Sequence, residues 1–229
     1  VQWPIGAESD FRGIIDLLER KAYDFQGELG VNIVEIPVPA ELADLVEEKR
    51  NELIEEVADY DDDLMMMVLE GEEPSIDMIK TAIRKGVLTG EFFPVFCGSA
   101  YKDKGVQLML DGVVEYLPSP LDIKPTSGTD EDGNEEVCIP SDDGELAALG
   151  FKVATDPFIG RLTYVRVYRG VLKSGSYVYN STKGTKERIA RLVLMHSNHR
   201  EEVTELNAGD IGAVIGFKNT TTGDTLCDE

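Results

Sequence analysis

Between Phe92 and Pro120 the chain reads FFPVFCGSAYKDKGVQLMLDGVVEYLPSP: an apolar run, a Gly98-Ser99-Ala100 turn and an amphipathic segment. Three small residues between a strand and a helix have two uses. They make a tight connection, or they let the backbone come against the flat base of a nucleotide. The second use needs companions, because most nucleotide affinity comes from a Gly-rich loop, its Lys, and a Mg²⁺ held by Ser/Thr and Asp. The patterns G-x-x-x-x-G-K-[ST] and N-K-x-D are absent. Asp130-Glu131-Asp132-Gly133 spells D-x-x-G, but it lies in an acidic stretch with no His after it. A turn able to hold a base therefore stands in a sequence with nothing to hold phosphates.

Two charged sets are further candidates. Glu41, Asp44, Glu47, Glu48, Glu52, Glu55 and Glu56 lie on one predicted helix, where a run of acids is either a solvated face or a complement to a basic protein surface. Lys183, Lys186, Arg188, Arg191, His196, His199 and Arg200 form a basic set near the end of the chain. Alternating bases on a solvent-facing strand are ordinary. His196-x-x-His199 is a metal pair only if further ligands join it. Cys97, Cys138 and Cys227 are far apart and form no C-x-x-C pair, so they suggest neither a disulfide framework nor a zinc site.

The elements that must position these residues fall into two kinds. Leu42, Leu45, Val46, Leu53, Ile54 and Val57 recur at helical spacing between Pro39 and Tyr60. Asp61 to Glu70 reads as a second helix, and Ser75 caps a third in which Ile76, Ile79 and Ile83 share a face before Gly86 ends it. GIIDLLERKAYDF is helical by propensity, yet its β-branched residues and nearby glycines equally allow a hairpin. Residues 92 to 97, with Pro94 inside, suit a strand near its start or at an edge. Val106, Met109, Leu110, Val113, Val114 and Leu117 make the next helix amphipathic, and Pro118 and Pro120 stop it. Trp3, Phe92 and Phe93 are assigned to the core.

A Pro-, Gly- and acid-rich linker follows, LDIKPTSGTDEDGNEEVCIPSDDGE, with a turn expected at Asp132-Gly133. Beyond about residue 146 come short strand candidates, ALGFKVAT, RLTYVRVYR, SYVYNST, ERIARLVLM and IGAVIGF, joined by DPFIG, KSG, TKG, NAGD and TTGD. That spacing predicts a small closed β-barrel. Gly160-Arg161 and the Gly170 to Gly175 stretch read as turn chemistry. Charge is divided the same way: of a net −22, residues 1–120 carry −16, residues 121–150 carry −8 and residues 151–229 carry +2. The front repels nucleic acid, while the rear can meet phosphates where its bases cluster. No run reaches the roughly 18 apolar residues of a membrane span, and VQWPIG begins no signal segment. The expectation is a cytoplasmic protein with no membrane or DNA partner.

Taken in order, PIGAES-FRGIIDLL, VLEGEEP, VFCGSAYKDKGVQLMLDGVVEYLPSPLD, GRLTYVRVYRGVLKSGSYVYNSTKGTKERIARLVLMHSNHREEV and AGDIGAVIGFKNTTTGDTLCDE closely resemble elongation factor G, the ribosomal translocase. The resemblance runs along the whole chain and covers part of that factor. It implies an α+β or α/β front piece, made of a helical insert and the remnant of a P-loop-type nucleotide domain, followed by an all-β translation-factor barrel. Residues 1–88 correspond to the insert with a leading strand at 1–6, and 89–120 to the last strand, guanine turn and helix of the nucleotide domain. Residues 121–145 are then the acidic linker and 146–229 the barrel.

Ser99 and Ala100 correspond, by the same resemblance, to the family's guanine-recognition turn, with Tyr101 at a variable position beside them. The resemblance also assigns the seven acids to docking on large-subunit stalk proteins. It assigns Lys183, Lys186, Arg188, Arg191, His196 and Arg200 to contact with small-subunit ribosomal RNA. GTP or GDP and Mg²⁺ are implied for the intact factor, together with its remaining domains. No cofactor and no hydrolysis are expected of this chain alone, because the missing motifs lie N-terminal to the matched region in the family. The chain then reads as a fragment, of bacterial-type or mitochondrial origin. Three alternatives stay open: a ribosome-recycling paralogue, peptide chain release factor three, and a self-standing, non-enzymatic ribosome-binding adaptor.

Overall fold

The structure is a computed structural model that describes residues 1–27, 30–129, 133–156, 160–197 and 199–228. It divides into two compact units, Val1–Ser119 and Pro120–Glu229. The first unit opens with β1 (Gln2–Ile5), β2 (Gly13–Asp16), β3 (Lys21–Gln26) and β4 (Asn32–Ile36), an antiparallel sheet in chain order. GIIDLLERKAYDF is thus a hairpin. Ile14 and Ile15 are both fully buried, and Asp16 sets the turn by accepting hydrogen bonds from the Leu18 and Glu19 N–H groups, each at 2.8 Å. Burial of β-branched side chains on both faces overrides the helical propensity of LLERK.

Helices α1 (Ala43–Ala58), α2 (Asp62–Glu70), α3 (Ile76–Thr89) and α4 (Val106–Tyr116) follow. Asp61 and Ser75 cap α2 and α3 by accepting from Leu64 N–H and Met78 N–H. The expected stop at Gly86 is corrected. Gly90, at φ +77°, ends α3, whereas Gly86 is buried inside it, where a Cβ would lie 2.8 Å from both Phe92 Cβ and the Tyr60 ring. Glycine is there for close approach, and the helix tolerates it. Val46, Ile54, Val57, Leu64, Ile79 and Ile83 join Ile15 and Leu18 of the sheet in one core.

Residues 92 to 97 form no strand ladder, and the leading strand, β1, pairs with β2. Residues 92 to 97 still lie beside β1. The Val1 nitrogen donates to the Val95 carbonyl at 3.3 Å, and Cys97 N–H donates to the Gln2 side-chain oxygen at 3.1 Å. Pro94 removes one donor from the segment, and the Gln2 amide takes the place of a main-chain acceptor. The segment alternates, with Phe92 and Phe96 packed inward and Phe93 (77% exposed) and Val95 outward, so Phe93 is not a core residue. Nor does α4 bury its apolar stripe. Only Gly112 and Tyr116 are buried, while Met109, Leu110, Val113, Val114 and Leu117 are exposed.

The second unit begins at Pro120 and takes in the stretch read as a linker, which contains a hairpin of β5 (Thr126–Thr129) and β6 (Glu135–Cys138). Asp132 of the expected turn lies outside the described residues, as do Asp130 and Glu131. Then come β7 (Ala147–Asp156), β8 (Gly160–Arg169), β9 (Leu172–Lys173), β10 (Tyr177–Asn180), β11 (Thr185–Arg188), β12 (Arg191–His196), β13 (His199–Val203), β14 (Glu205–Leu206), β15 (Ile211–Ile215) and β16 (Asp224–Cys227). The middle of the DPFIG connection, residues 157–159, lies outside the described residues.

Eight strands form one antiparallel sheet in the order β11-β10-β16-β7-β8-β15-β12-β13. ERIARLVLM is therefore two strands. It bends at Ile189-Ala190, so β11 pairs with β10 while β12 pairs with β15. Ile189 N–H donates to Ser176 O and Ala190 N–H to Ile215 O. One bent segment thus bridges both sides of the sheet and closes it. Val165, Val178, Ile189, Leu192, Val214 and Leu226 fill the interior.

Candidate functional site

Gly98-Ser99-Ala100 forms a narrow loop fixed by its own backbone. Ser99 N–H donates to Lys104 O at 2.8 Å, and Lys104 N–H returns a bond to Ser99 O at 3.1 Å. A 3₁₀ turn, Ala100–Lys102, occupies the loop, with Asp103 and Gly105 left-handed at φ +52° and +80°. A Cβ on Gly105 would lie 2.6 Å from Cys97 O, so only glycine lets the two arms meet. The Ser99 amide is therefore spent inside the loop. The exposed Ala100 and Tyr101 amides start the 3₁₀ turn, where no preceding turn offers an acceptor, and they are the donors the loop presents outward. Tyr101 is 95% exposed and frames nothing within the unit.

All seven acids of the front are exposed, but they do not act alike. Glu41, Asp44, Glu48, Glu52 and Glu55 follow one another in steps of three or four residues, with Glu56 beside Glu52. Lys49 sits within that stripe and binds Glu52 at 2.7 Å and Glu48 at 3.5 Å. Glu47 points elsewhere, to Arg20 Nε at 2.8 Å. Arg20 and the buried Arg50 both donate to Glu73 Oε1, at 3.1 and 2.9 Å. Arg50 is 1% exposed, and its Nε and Nη1 find no protein partner. Burial presses its guanidinium toward the neutral form, yet the residue stays a cation facing Glu73.

The basic set separates further. Lys183 is turned into the barrel wall, where its ammonium donates to Asn219 O and Thr221 Oγ1 and lies 3.0 Å from Asp224. Arg191 binds Glu202 at 2.8 Å, Arg200 binds Asp156 at 3.3 Å, and His196 lies 3.6 Å from Glu201. His196 and His199 are cross-strand partners. No group of three or more metal-ligating side chains forms among the described residues. Lys186 and Arg188 share the outer face of β11, opposite Tyr179 and Tyr177 of β10.

A second polar cluster had no signal in the sequence beyond the isolated letters Glu187, Asn180, Thr220 and Asp224. Glu187, 3% exposed, points inward from β11 and accepts from the N–H groups of Lys218, Asn219 and Thr220 and from Thr220 Oγ1. Burial pushes its carboxyl up, but these donors together outweigh burial and hold it below the usual range. Asp224 is buried and accepts from Asn180, Thr221 and Lys183. Burial again opposes ionisation, and the donors bring its pKa to about 2. Arg161, placed in a turn from sequence, donates to the carbonyls of Lys218 and Thr220 in the same loop. These groups secure residues 218–223 against the barrel.

Two comparisons bear on this arrangement. Residues 160–227 match the family described as elongation factor Tu domain 2. The whole chain also superposes on a protein of Thermus thermophilus known from its crystal structure, with a TM-score of 0.79 and 28% sequence identity. That match covers 100% of this chain and 31% of the Thermus chain. Together they liken residues 160–227 to a translation-factor domain and the whole chain to part of a longer protein. The second unit has the β-barrel of a translation-factor domain, and the helices and small sheet before it form an α+β piece. No helix among the described residues is long and apolar enough to cross a membrane.

Proposed function

We propose that this chain supplies the insert, guanine turn and barrel of a ribosomal GTPase of the elongation factor G type, one that couples GTP hydrolysis to movement of tRNA and messenger RNA. The observation carrying the proposal is the superposition of both units, over their full length, on one Thermus chain about three times as long. The exposed faces of Phe93, Val95 and α4 support it, because an unpaired extended segment beside an uncovered apolar helix is a packing surface. A nucleotide domain that extends beyond this piece would use it.

In that setting the turn serves the base. Ala100, whose side chain is a single methyl, lets its amide reach the oxygen edge of guanine, while the Ser99–Lys104 pair holds the loop rigid. The residues here fit the base end only; the phosphates of GTP and the Mg²⁺ that accompanies them need a phosphate loop and an Asp in motifs this sequence lacks. Fluorescent GDP should accordingly show no saturable binding to this chain at micromolar concentration. Tight, Mg²⁺-dependent binding overturns the reading. The acidic stripe of α1 serves stalk proteins by speeding encounter, and the outer face of β11 serves small-subunit ribosomal RNA by positioning phosphates. Charge reversal of Lys186 and Arg188 in the intact factor should weaken ribosome association and flatten its salt dependence.

A further inference from the structure

Residues 121–150 carry a net −8, yet the cavity that they help to form has no acid in its wall. It measures about 150 Å³, and its walls come from the segment around Ile123, from Cys138 and Pro140, from β8 and from Gly209. All of these belong to the second unit. A volume of that order takes a molecule the size of benzene.

Two cations line it, Lys124 and Arg166. The Lys124 ammonium and the Arg166 guanidinium make no hydrogen bond or ion pair among the described residues. Val165 and Val167 of β8 point into the barrel interior, so Arg166 and Tyr168 share its outer face. There the guanidinium lies 5.1 Å from the centre of the Tyr168 ring, which fixes its orientation. Its Nε is closed off from solvent without an acceptor, which leaves the Nη ends as the donors that a ligand reaches. The nearest acids in sequence to Pro140 and Gly209 are spent elsewhere, since Asp142 accepts from Ala208 N–H and Asp210 from Asn207 N–H.

We propose that this cavity binds a carboxylate carried on an apolar body about the size of a benzene ring. The anion meets Arg166 and Lys124, and the body lies among Ile123, the prolines and Tyr168. Guanidinium matches a carboxylate in geometry as well as charge. Pro120, Pro125 and Pro140 contribute no N–H to the wall, so a phosphate would leave several acceptor oxygens unmet, whereas a carboxylate has only two to satisfy. Such chemistry is offered by a free organic acid or by the apolar C-terminal residue of another chain. The proposal goes beyond the ribosomal reading and does not depend on it.

The test is a titration of the full, ¹⁵N-labelled chain with sodium benzoate, followed by the amide resonances of Thr126, Cys138, Val167 and Gly209. Saturable shifts there, with a Kd on the order of 1 mM, are expected for so small a ligand. Benzamide, which lacks the charge, and acetate, which lacks the body, should each bind roughly ten-fold more weakly or less. Arg166→Gln should weaken benzoate by roughly ten-fold, and Lys124→Ala, which removes an exposed side chain, by about three-fold. Acetyl-Gly-Gly-Leu with a free carboxylate separates the two sources: shifts with this peptide, absent when it is amidated, assign the cavity to a chain end, and shifts with benzoate alone assign it to a free acid. No saturable shift with either probe overturns the proposal. Equal binding of benzamide or acetate also overturns it, a comparison that needs no variant and decides even where Arg166→Gln disturbs β8. Unchanged benzoate affinity in both variants overturns it as well.

Discussion

Replacing Glu187 with Gln removes a charge and little else, so its effect isolates the carboxylate. Oε1 accepts from Asn219 N–H at 2.6 Å, Thr220 N–H at 2.9 Å and Thr220 Oγ1 at 3.2 Å, while Oε2 accepts from Lys218 N–H at 3.0 Å. The Gln oxygen can keep the first three as ordinary hydrogen bonds. Its NH₂ then meets the Lys218 N–H, donor against donor. One charge-assisted bond is lost, worth about 1.5–3 kcal/mol, and the remaining three lose their charge assistance. A total near 3 kcal/mol follows for a barrel of ordinary marginal stability. That lowers the midpoint of its thermal transition by roughly 10–20 °C. Far-UV circular dichroism should report the shift, and amide exchange at residues 217–223 should accelerate. The pH profile gives an independent check. The folded carboxyl is depressed below its ordinary value of 4.5, so its contribution is present above that pH and disappears as the pH falls through the folded value. The Gln variant must lack this portion of the acid limb. A variant within about 1 kcal/mol of the parent, with an unaltered acid limb, would refute the claim that Glu187 secures the loop.

Four further outcomes are expected. Asp224→Asn should remove about 2 kcal/mol of barrel stability at neutral pH, an effect that vanishes as the pH falls from about 4 toward 2, checked by urea unfolding across that range. Glu73→Ala should destabilise the first unit by about 1.5–3 kcal/mol by removing the carboxylate to which the buried Arg50 donates, whereas Arg50→Met should be near neutral; Trp3 fluorescence during denaturation separates them. Gly86→Ala should cost about 1–3 kcal/mol despite better helix propensity, because the new methyl meets Tyr60 and Phe92, and denaturant midpoints will show the sign. On the proposed function, charge reversal at Glu48 and Glu55 in the intact factor should slow its association with stalk proteins at low salt and have little effect at high salt, as measured by stopped-flow.

Much of the fold could be read where one local rule dominated. Asp61 and Ser75 are good caps preceding apolar periodicity, and both cap their helices in the structure. Prediction failed where an interaction with a distant residue decided the outcome. Gly86 reads as a helix stop from its own chemistry, and only the nearness of Tyr60 and Phe92 explains its place inside α3. The apolar run at 92–97 has strand composition, but a strand needs a partner, and β1 spends its ladder on β2. The bend at Ile189-Ala190 is invisible in ERIARLVLM because its cause lies in strands 177–180 and 211–215. Candidate sites follow the same logic. Composition marked Lys183 as available, and its engagement with Asn219, Thr221 and Asp224 depends on a loop nearly forty residues away.

The place of β16 in the sheet bears on how the barrel is made. Residues 224–227 lie between β10 and β7, pairing with partners that precede them by up to about 80 residues, Asn180 with Leu226 and Ala147 with Cys227 marking the two sides. Until that strand arrives, the β10–β11 hairpin has no neighbour on one side and β7 shows a bare edge. At ordinary synthesis rates the wait between residues 188 and 227 is roughly 2–8 s. During this time the open edges are templates for pairing with another chain. Closure is also dominated by long-range contacts, which makes it intrinsically slow. The barrel is therefore most exposed to aggregation just before its final strand emerges, and a ribosome that pauses over codons 190–220 would lengthen that interval.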